Sequence, residues 1–331
     1  MFLIGAVMQN SRFTSNYRII AMSMKRGMIR ALLLCWFALY AAPSWAESLK
    51  LLVILSDGST PYLSFADTLK ANLPGWVQVT LLSDPQQPGL NDTHADLVVS
   101  VGMKATGLAV EKTNAPILAA MISEKGYAEL QTRAIQQKID RPMSAVYLDQ
   151  PWERQIDFVR AALPDRPKIG LLHTPAAQID IARLNQKVVK RGGSLVAQTV
   201  VGVGELFAGL EYVLEHSDGL LAIPDSLIYS SGNIRHILLT SYRHGIPLIG
   251  LSQAYVNAGA LCAIFSTPEQ LAAQTSLMVL SFARAVQLPE PQYPVDFTIA
   301  VNPQVARSMK IELPAPEAIR ELMGKAKRGL N

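Results

Sequence analysis

The sequence predicts an α/β chain built from two doubly wound parallel sheets, one following the other. Two observations carry this. Short, continuously apolar runs of strand length alternate with segments of helical periodicity, the mark of parallel strands covered on both faces. The alternation runs from residue 49 to residue 122 and then restarts at residue 144. A length of 331 residues fits two domains of roughly 150 each.

In the first series KLLVILS (50–56) reads as a buried strand. PYLSFADTLKANL (61–73) reads as a helix, with Leu63, Phe65, Ala66, Leu69 and Leu73 near one face. VQVTLLS, ADLVVSVG and APILAAMI follow as strands, with a helical KATGLAVEK before the last. In the second series SAVYLD (144–149) leads to a helix that opens at Pro151 and ends at Leu163, before Pro164. KIGLLHT leads to helix AAQIDIARLNQKVVKRG, closed by Gly192 and Gly193; SLVAQTV leads to helix GELFAGLEYVLEHS. GLLAIPD leads to helix GNIRHILLTSYRHG. GIPLIGLSQAYVNAGALCAIF (245–265) then reads as a strand, a small polar loop at 252–255 and a second strand. A long helix (267–288), a Pro-rich turn PEPQYP, a strand DFTIAV and two short helices complete the chain. That leftover strand–helix–strand unit suggests that the chain crosses between lobes more than once.

The ends and the charge narrow the function. Lys25, Arg26 and Arg30 precede ALLLCWFALYAA, an apolar run of signal-peptide length, and Pro43-Ser44-Trp45-Ala46 places small residues at the −3 and −1 positions before Glu47. The expectation is a signal peptide over 1–46, cleavage near Ala46-Glu47, and a periplasmic product without stable membrane insertion, since a span needs ~20 apolar residues. Residues 1–21 add nothing to such a peptide, and Met22, Met24 or Met28 is an alternative start. The formal charge of +4 comes from this leader: without its five basic residues, 25 basic side chains face 26 acidic ones, which leaves no phosphate-binding field and argues against nucleic acid as a partner. Cys262 is the only cysteine after the leader, so no intramolecular disulfide is expected, and its reading is a small buried strand residue.

In open α/β sheets a ligand sits beyond the carboxyl ends of the strands. That rule selects Asp57, Gly58, Ser59, Gly102, Met103 and Ser123 in the first series. In the second it selects His173, Thr174, Asp225, Ser226, Ser252, Gln253 and Tyr255. Gly58-Ser59-Thr60 and Gly102-Met103 each precede a helix, where free N–H groups bind an anion; the alternative is plain strand-to-helix capping. Asp225 either accepts from a ligand ammonium or caps the next helix. Tyr255 either stacks on a ligand or packs between lobes. Tyr147 stands where the second series begins and either packs there or meets the ligand. No His or Cys pair has metal spacing, so neither a metal nor a cofactor is expected. Nucleotide, Walker, nucleophile-elbow and zincin motifs are missing, which favours a binder over an enzyme.

SAVYLDQPWERQIDFVRAALPDRPKIGLLHTP resembles the start of the second lobe in substrate-binding proteins of ABC importers with the type I periplasmic-binding fold. GLLAIPDSLIYSSGNIRHILLTSYRHGIPLIGLSQAYVNAGALCAIFSTPEQLAAQ and FTIAVNPQVARSMKIELP are similar to the distal part and the closing strand and helix of that family. The resemblance implies two Rossmann-like lobes joined by three crossovers, near residues 144–147, 262–265 and 293–297. The N-terminal lobe would be 47–145 plus 264–292, and the C-terminal lobe 146–263 plus 293–331. MISEKGYAEL and His173-Thr174-Pro175 depart from the Asp-Pro-Val-Gly-like and Tyr-Asn-Pro segments of many relatives, so the ligand is open to differ. The expected function is a periplasmic receptor that closes on a small solute, an amino acid or similar carboxylate, and presents it to a membrane permease. Two alternatives stand: a sensory subunit for a membrane signalling protein, and an exported hydrolase using His173, Asp225 and Ser252.

Overall fold

The computed structural model describes residues 48–83 and 94–329. The expected leader, its alternative starts and the cleavage point at Ala46-Glu47 lie outside the described residues.

The first sheet is built from β1 (Leu49–Leu55), β2 (Val77–Leu82), β3 (Leu97–Val101), β4 (Ile117–Ile122) and β5 (Met143–Tyr147), in spatial order β2-β1-β3-β4-β5, all parallel. Every residue of β3 is buried, and every residue of β1 except Lys50, because helices cover both faces. On one face lies α1 (Thr60–Asn72), with Phe65, Ala66 and Leu69 inward. On the other lie α2 (Met103–Lys112) and α3 (Glu124–Gln136).

The chain leaves β5 into α4 (Trp152–Ala162) and builds a second sheet from β6 (Lys168–His173), β7 (Ser194–Thr199), β8 (Gly219–Leu221), β9 (Leu248–Gly250) and β10 (Cys262–Phe265). The helices α5 (Ile181–Val189), α6 (Leu206–His216), α7 (Ile234–Arg243) and α8 (Gln253–Ala258) connect them. Next, α9 (Pro268–Ala285) turns back and lays Leu271, Ala272, Met278, Val279 and Phe282 on the α1 face of the first sheet. Its start carries a capping box, Thr267 with Gln270. The chain then touches β5 at Gln292, whose N–H donates to Ala145 O (2.8 Å) while Tyr147 N–H donates to Gln292 O (2.9 Å). It re-enters the second sheet as β11 (Thr298–Val301), antiparallel to β10, and ends in α10 (Pro303–Ser308) and α11 (Pro316–Gly329). The second sheet has the order β11-β10-β9-β8-β6-β7. The two sheets and three crossings are the two lobes and the hinge.

In MISEKGYAEL the part after the strand, to which the sequence assigned no element, opens α3: Ser123 Oγ accepts from Gly126 N–H (3.0 Å), and Tyr127, Leu130 and Ala134 form a buried stripe among polar residues. Three local expectations are corrected. The expected helix 176–192 is interrupted, because Gln178 adopts a left-handed φ of 52° and Asp180 caps a fresh start by accepting from Arg183 N–H (2.9 Å). The loop at 252–255 is instead the start of α8, with Ser252 as its N-cap. The last helix runs 14 residues and is not short.

Gly102 holds φ 87°, and a Cβ there would lie 2.6 Å from both Ser56 Oγ and Tyr62 Oη. Gly102→Ala is expected to cost about 2–4 kcal/mol through backbone strain and overpacking. Gly58→Ala, with nothing within 4 Å of the added atom, should change little. Thermal melts of the two variants check this. Arg141 closes the C-terminus of α2, donating from Nη1 to Thr113 Oγ1 (3.1 Å) and Ala109 O (3.3 Å) and from Nη2 to Val110 O (2.9 Å). Arg141→Met removes the donor to Val110 O, while Ala109 O keeps Thr113 N–H and Thr113 Oγ1, and is expected to cost about 1–3 kcal/mol in denaturant unfolding.

Candidate functional site

The carboxyl ends of β3 and β4 in the first lobe face those of β6, β8 and β9 in the second across a cavity of about 800 Å³. The first lobe contributes Met103, Ser123, Lys125, Gly126 and Glu129. The second contributes Thr174, Pro175, Val201, Ile223, Pro224, Leu227, Leu251 and Tyr255, with Asp225 and Ser226 at the loop after β8. The wall of the second lobe is largely apolar. The first lobe carries the charges, Lys125 and Glu129, which pair at 3.5 Å one turn apart on α3.

A β-bulge sets up the first-lobe wall. The β4–β5 register shifts between Ala120 and Ile122, and Met121 between them takes φ 51°. An irregularity of this kind re-aims the residues that follow it, here Ser123 and the start of α3. In the second lobe Gly250 lets Tyr255 approach: a Cβ at 250 would stand 2.5 Å from that of Tyr255.

Asp225 ties two loops together. Its Oδ2 accepts from Thr174 N–H (3.0 Å) and Thr174 Oγ1 (2.7 Å), and its Oδ1 from Leu227 N–H (3.1 Å) and Ile228 N–H (3.3 Å). Burial pushes the carboxyl up, but the bonds from Thr174, Ile228 and Leu227 outweigh it and hold the group below the usual carboxylate range. With four donors bound, Asp225 has no acceptor position left for a ligand ammonium.

A second cavity of about 500 Å³ adjoins the first, sharing Ser123, Lys125, Ala177, Ile223 and Pro224, and lies toward the hinge. It is charged: Glu124, Lys125, Asp149, Glu153, Asp180, Arg183 and Lys187 line it, with Trp152 and Tyr293. Asp149 Oδ2 accepts from Glu124 N–H (2.6 Å), and Tyr293 Oη donates to Glu124 Oε2 (2.5 Å). Burial, reinforced by the neighbouring Glu124 charge, raises the Asp149 carboxyl above its ordinary value despite its backbone hydrogen bonds. Lys187 is held by Glu153 at 2.6 Å.

Of the residues the sequence singled out, Met103, Ser123, Thr174, Asp225, Ser226 and Tyr255 come together on the larger cavity. Asp57, Gly58, Ser59, Gly102, Tyr147, His173, Ser252 and Gln253 line neither cavity. Asp57 accepts from Ser59 N–H (2.8 Å) in an exposed turn, and the Ser59 hydroxyl, together with that N–H, keeps its carboxyl low. Tyr147 packs edge-on between Tyr127 and Tyr293, with centroids at 5.9 and 5.2 Å. His173 is buried against Thr174 O and Thr199 Oγ1, both at 3.3 Å. Gln253 reaches Asn257 (2.9 Å) on the exposed side of α8. His173, Asp225 and Ser252 therefore do not assemble into a hydrolytic set. Among the described residues no group of three or more His, Cys, Asp or Glu is placed to hold a metal, and no helix is long and apolar enough to cross a membrane. Lys125, Glu129, Arg183 and Tyr293 were missed because no strand end announces them, and Asp149 was passed over although it closes the strand SAVYLD; the turn residue Ser123 before an acidic helix start was the one signal pointing to α3.

A family model for ABC transporter substrate binding proteins matches residues 86–323. Among solved structures, a ligand-free, open substrate-binding protein with adhesive properties from Clostridium difficile is similar, with 17% identity and a TM-score of 0.62 over 82% of this chain and 97% of its own. A conserved domain protein from Vibrio cholerae has 18% identity and a TM-score of 0.56 over 83% and 98%. An ABC domain in complex with L-Trp from Streptococcus pneumoniae has 16% identity and 0.54 over 82% and 98%. At these identities the likeness speaks for the fold alone. No curated protein matches the chain. The match over most of its length, on a two-lobed fold whose strand ends meet at a shared cleft, shows that the chain belongs to the family of ABC transporter substrate binding proteins.

Proposed function

We propose that the protein is a periplasmic receptor of an importer, which closes its lobes on a small solute and presents the closed form to a membrane permease. One observation carries this reading: both cavities lie between the lobes and take walls from each of them. A ligand that touches both walls binds the closed state better than the open one, and that differential affinity drives hinge closure. The cargo that the walls favour is an amino acid or similar carboxylate. Lys125 is the cation on the larger cavity, where a carboxylate would displace Glu129 from a weak surface pair. The apolar wall around Leu227, Leu251 and Tyr255 suits a hydrophobic body. The L-Trp held by the pneumococcal neighbour makes that compound a sensible first probe.

A thermal-shift screen of the protein from Glu47 onward against amino acids and neutral metabolites tests the reading; a binder stabilises by RT ln(1 + [L]/Kd). Amino acids without effect beside a stabilising neutral solute would remove the cargo assignment. Silence from the whole panel, with no change in shape on adding any compound, would remove the receptor. For a carboxylate cargo, Lys125→Gln is expected to raise Kd about tenfold or more by calorimetry while leaving the melting point nearly unchanged.

Asp225 would shape the wall through Thr174 and the turn at 225–228 without touching cargo. Its folded pKa lies below the unfolded value near about 3.9. Its stabilising contribution is therefore present above that pH and fades as pH falls through the folded value. Asp225→Asn, which turns an amide N–H₂ toward bound donors, is expected to cost about 2 kcal/mol at neutral pH and to flatten the acid limb of the stability curve. An unchanged acid limb in urea titrations from pH 2 to 7 would contradict this.

A further inference from the structure

The hinge-side cavity carries opposite free charges on its two walls. On the first-lobe side stand Glu124 and Asp149. Each keeps one carboxylate oxygen out of any hydrogen bond among the described residues: Glu124 engages Tyr293 through Oε2 alone, and Asp149 engages Glu124 N–H through Oδ2 alone. Neither has a cationic partner. On the second-lobe side stand Arg183 and Lys187 with the carboxylates Glu153 and Asp180. Lys187 is already paired with Glu153, and Asp180 caps α5 through Oδ1. Arg183 has no ion-pair partner for its guanidinium among the described residues. Its side chain is exposed, and only its backbone N–H is bonded, to Asp180.

We propose that Arg183 is a closing clasp: as the lobes approach, its guanidinium inserts between Glu124 and Asp149 and holds the closed state independently of cargo. The proposal rests on the receptor reading, because it needs the lobes to close. The planar fork of arginine suits two carboxylates at once, which a lysine would not. The pair of like charges at Glu124 and Asp149 disfavours itself in the open form, and a cation between them removes that repulsion. None of Arg183, Glu124 and Asp149 has an ion-pair partner among the described residues, so a pair formed only as the lobes approach would shift the equilibrium by its full value. Lys125 lines both cavities but is engaged by Glu129 on its own helix, and Glu129 does not line the hinge-side cavity, so the clasp uses Arg183, Glu124 and Asp149. Arg183 is thus a positioning residue for closure, and it does not contact the solute.

The test uses the full chain without ligand, carrying one spin label on each lobe at Gln136→Cys and Glu215→Cys, both exposed positions. Pulsed dipolar spectroscopy reads the short-distance population at low ionic strength and in 1 M NaCl. The clasp predicts a short-distance population that falls with salt. Arg183→Glu should lower it by about fivefold or more at low salt, and Arg183→Glu combined with Glu124→Arg should restore part of it. Arg183→Gln, which keeps the length of the side chain, should also lower it. An unchanged distribution in Arg183→Glu, or no recovery in the swap while Tyr293-side packing and melting point stay intact, overturns the clasp. A wild-type chain that shows no short distances at low salt yet closes on L-Trp or another added amino acid also overturns it. Failure to close under every condition, ligand included, strikes the receptor reading instead.

Discussion

Two separately folded sheets can act as one device only if the strands joining them stay in register, and a small set of buried amides imposes that register. Gln150 on the first crossing donates from Nε2 to Ser266 Oγ on the second (2.8 Å), and Ser266 Oγ donates to Asp296 O on the third (2.6 Å). Gln274 of α9 donates to Tyr293 O (3.1 Å) and accepts from Val295 N–H (2.9 Å), fixing the third crossing from the side of the first lobe. Gln150, Ser266 and Gln274 are all buried. Loop backbone in such a place would otherwise bury unpaired polar groups at a cost of several times the net value of a hydrogen bond. Neutral amides satisfy donors and acceptors together without the desolvation penalty of a charge. Arg154 gives Nη1 to Gln150 Oε1 and Pro294 O and lies over one face of the Phe297 ring at 4.9 Å, while Arg320 lies over the same ring at 4.2 Å and donates to Phe297 O (2.6 Å), so these charges are met by oxygens and a π system.

With the hinge fixed, the cleft follows from the topology. Parallel strands all point the same way, so their following loops gather at one edge of each sheet, and the hinge turns those edges toward one another. What each wall offers then depends on local chemistry. The second lobe presents proline, leucine and tyrosine and holds its one buried carboxylate, Asp225, saturated by Thr174 and its own turn. The first lobe presents the start of α3, an acidic and basic helix brought there by the bulge at Met121. One wall is thus rigid and apolar, the other polar and charged.

This division explains what could be read from the sequence. Most strands were legible because they are continuous apolar runs, although β2 and β7 carry polar residues; the two sheets followed from the alternation of strand and helix, and the cleft between them from the rule about strand ends together with the family resemblance. Thr174, Asp225, Ser226 and Tyr255 were found because the rule about strand ends needs no side-chain detail. The same rule also selected Asp57 to Ser59 and His173, and it failed there for two physical reasons. The turn after β1 satisfies its own carboxylate and stays in solvent, while His173 points into its own lobe and bonds Thr199. Nothing local marks Lys125 or Arg183. Their surroundings depend on a bulge and on a left-handed residue, Gln178, that breaks a helix the periodicity would have continued. Charge position in a cleft is a tertiary property, and a one-residue shift in register or in helix phase moves it to another face.

A receptor of this kind has to rest open, and the pattern of satisfied and unsatisfied charges bears on that. Lys187 and Lys125 are each paired with a carboxylate of their own lobe, and Asp225 is saturated by donors of its own lobe, so none of the three needs a partner on the opposite wall. A cleft in which every charge sought its partner on the opposite wall would collapse without cargo and would tax binding by the fraction of closed molecules. A cleft with none would need the solute to supply the whole free energy of closure. Keeping most charges in local pairs while leaving Arg183 opposite Glu124 and Asp149 sets the balance between these extremes. The open form is permitted, and the closed form needs less from the ligand. That balance is electrostatic and confined to the hinge-side cavity, so screening by salt acts on it without touching the apolar wall of the larger one.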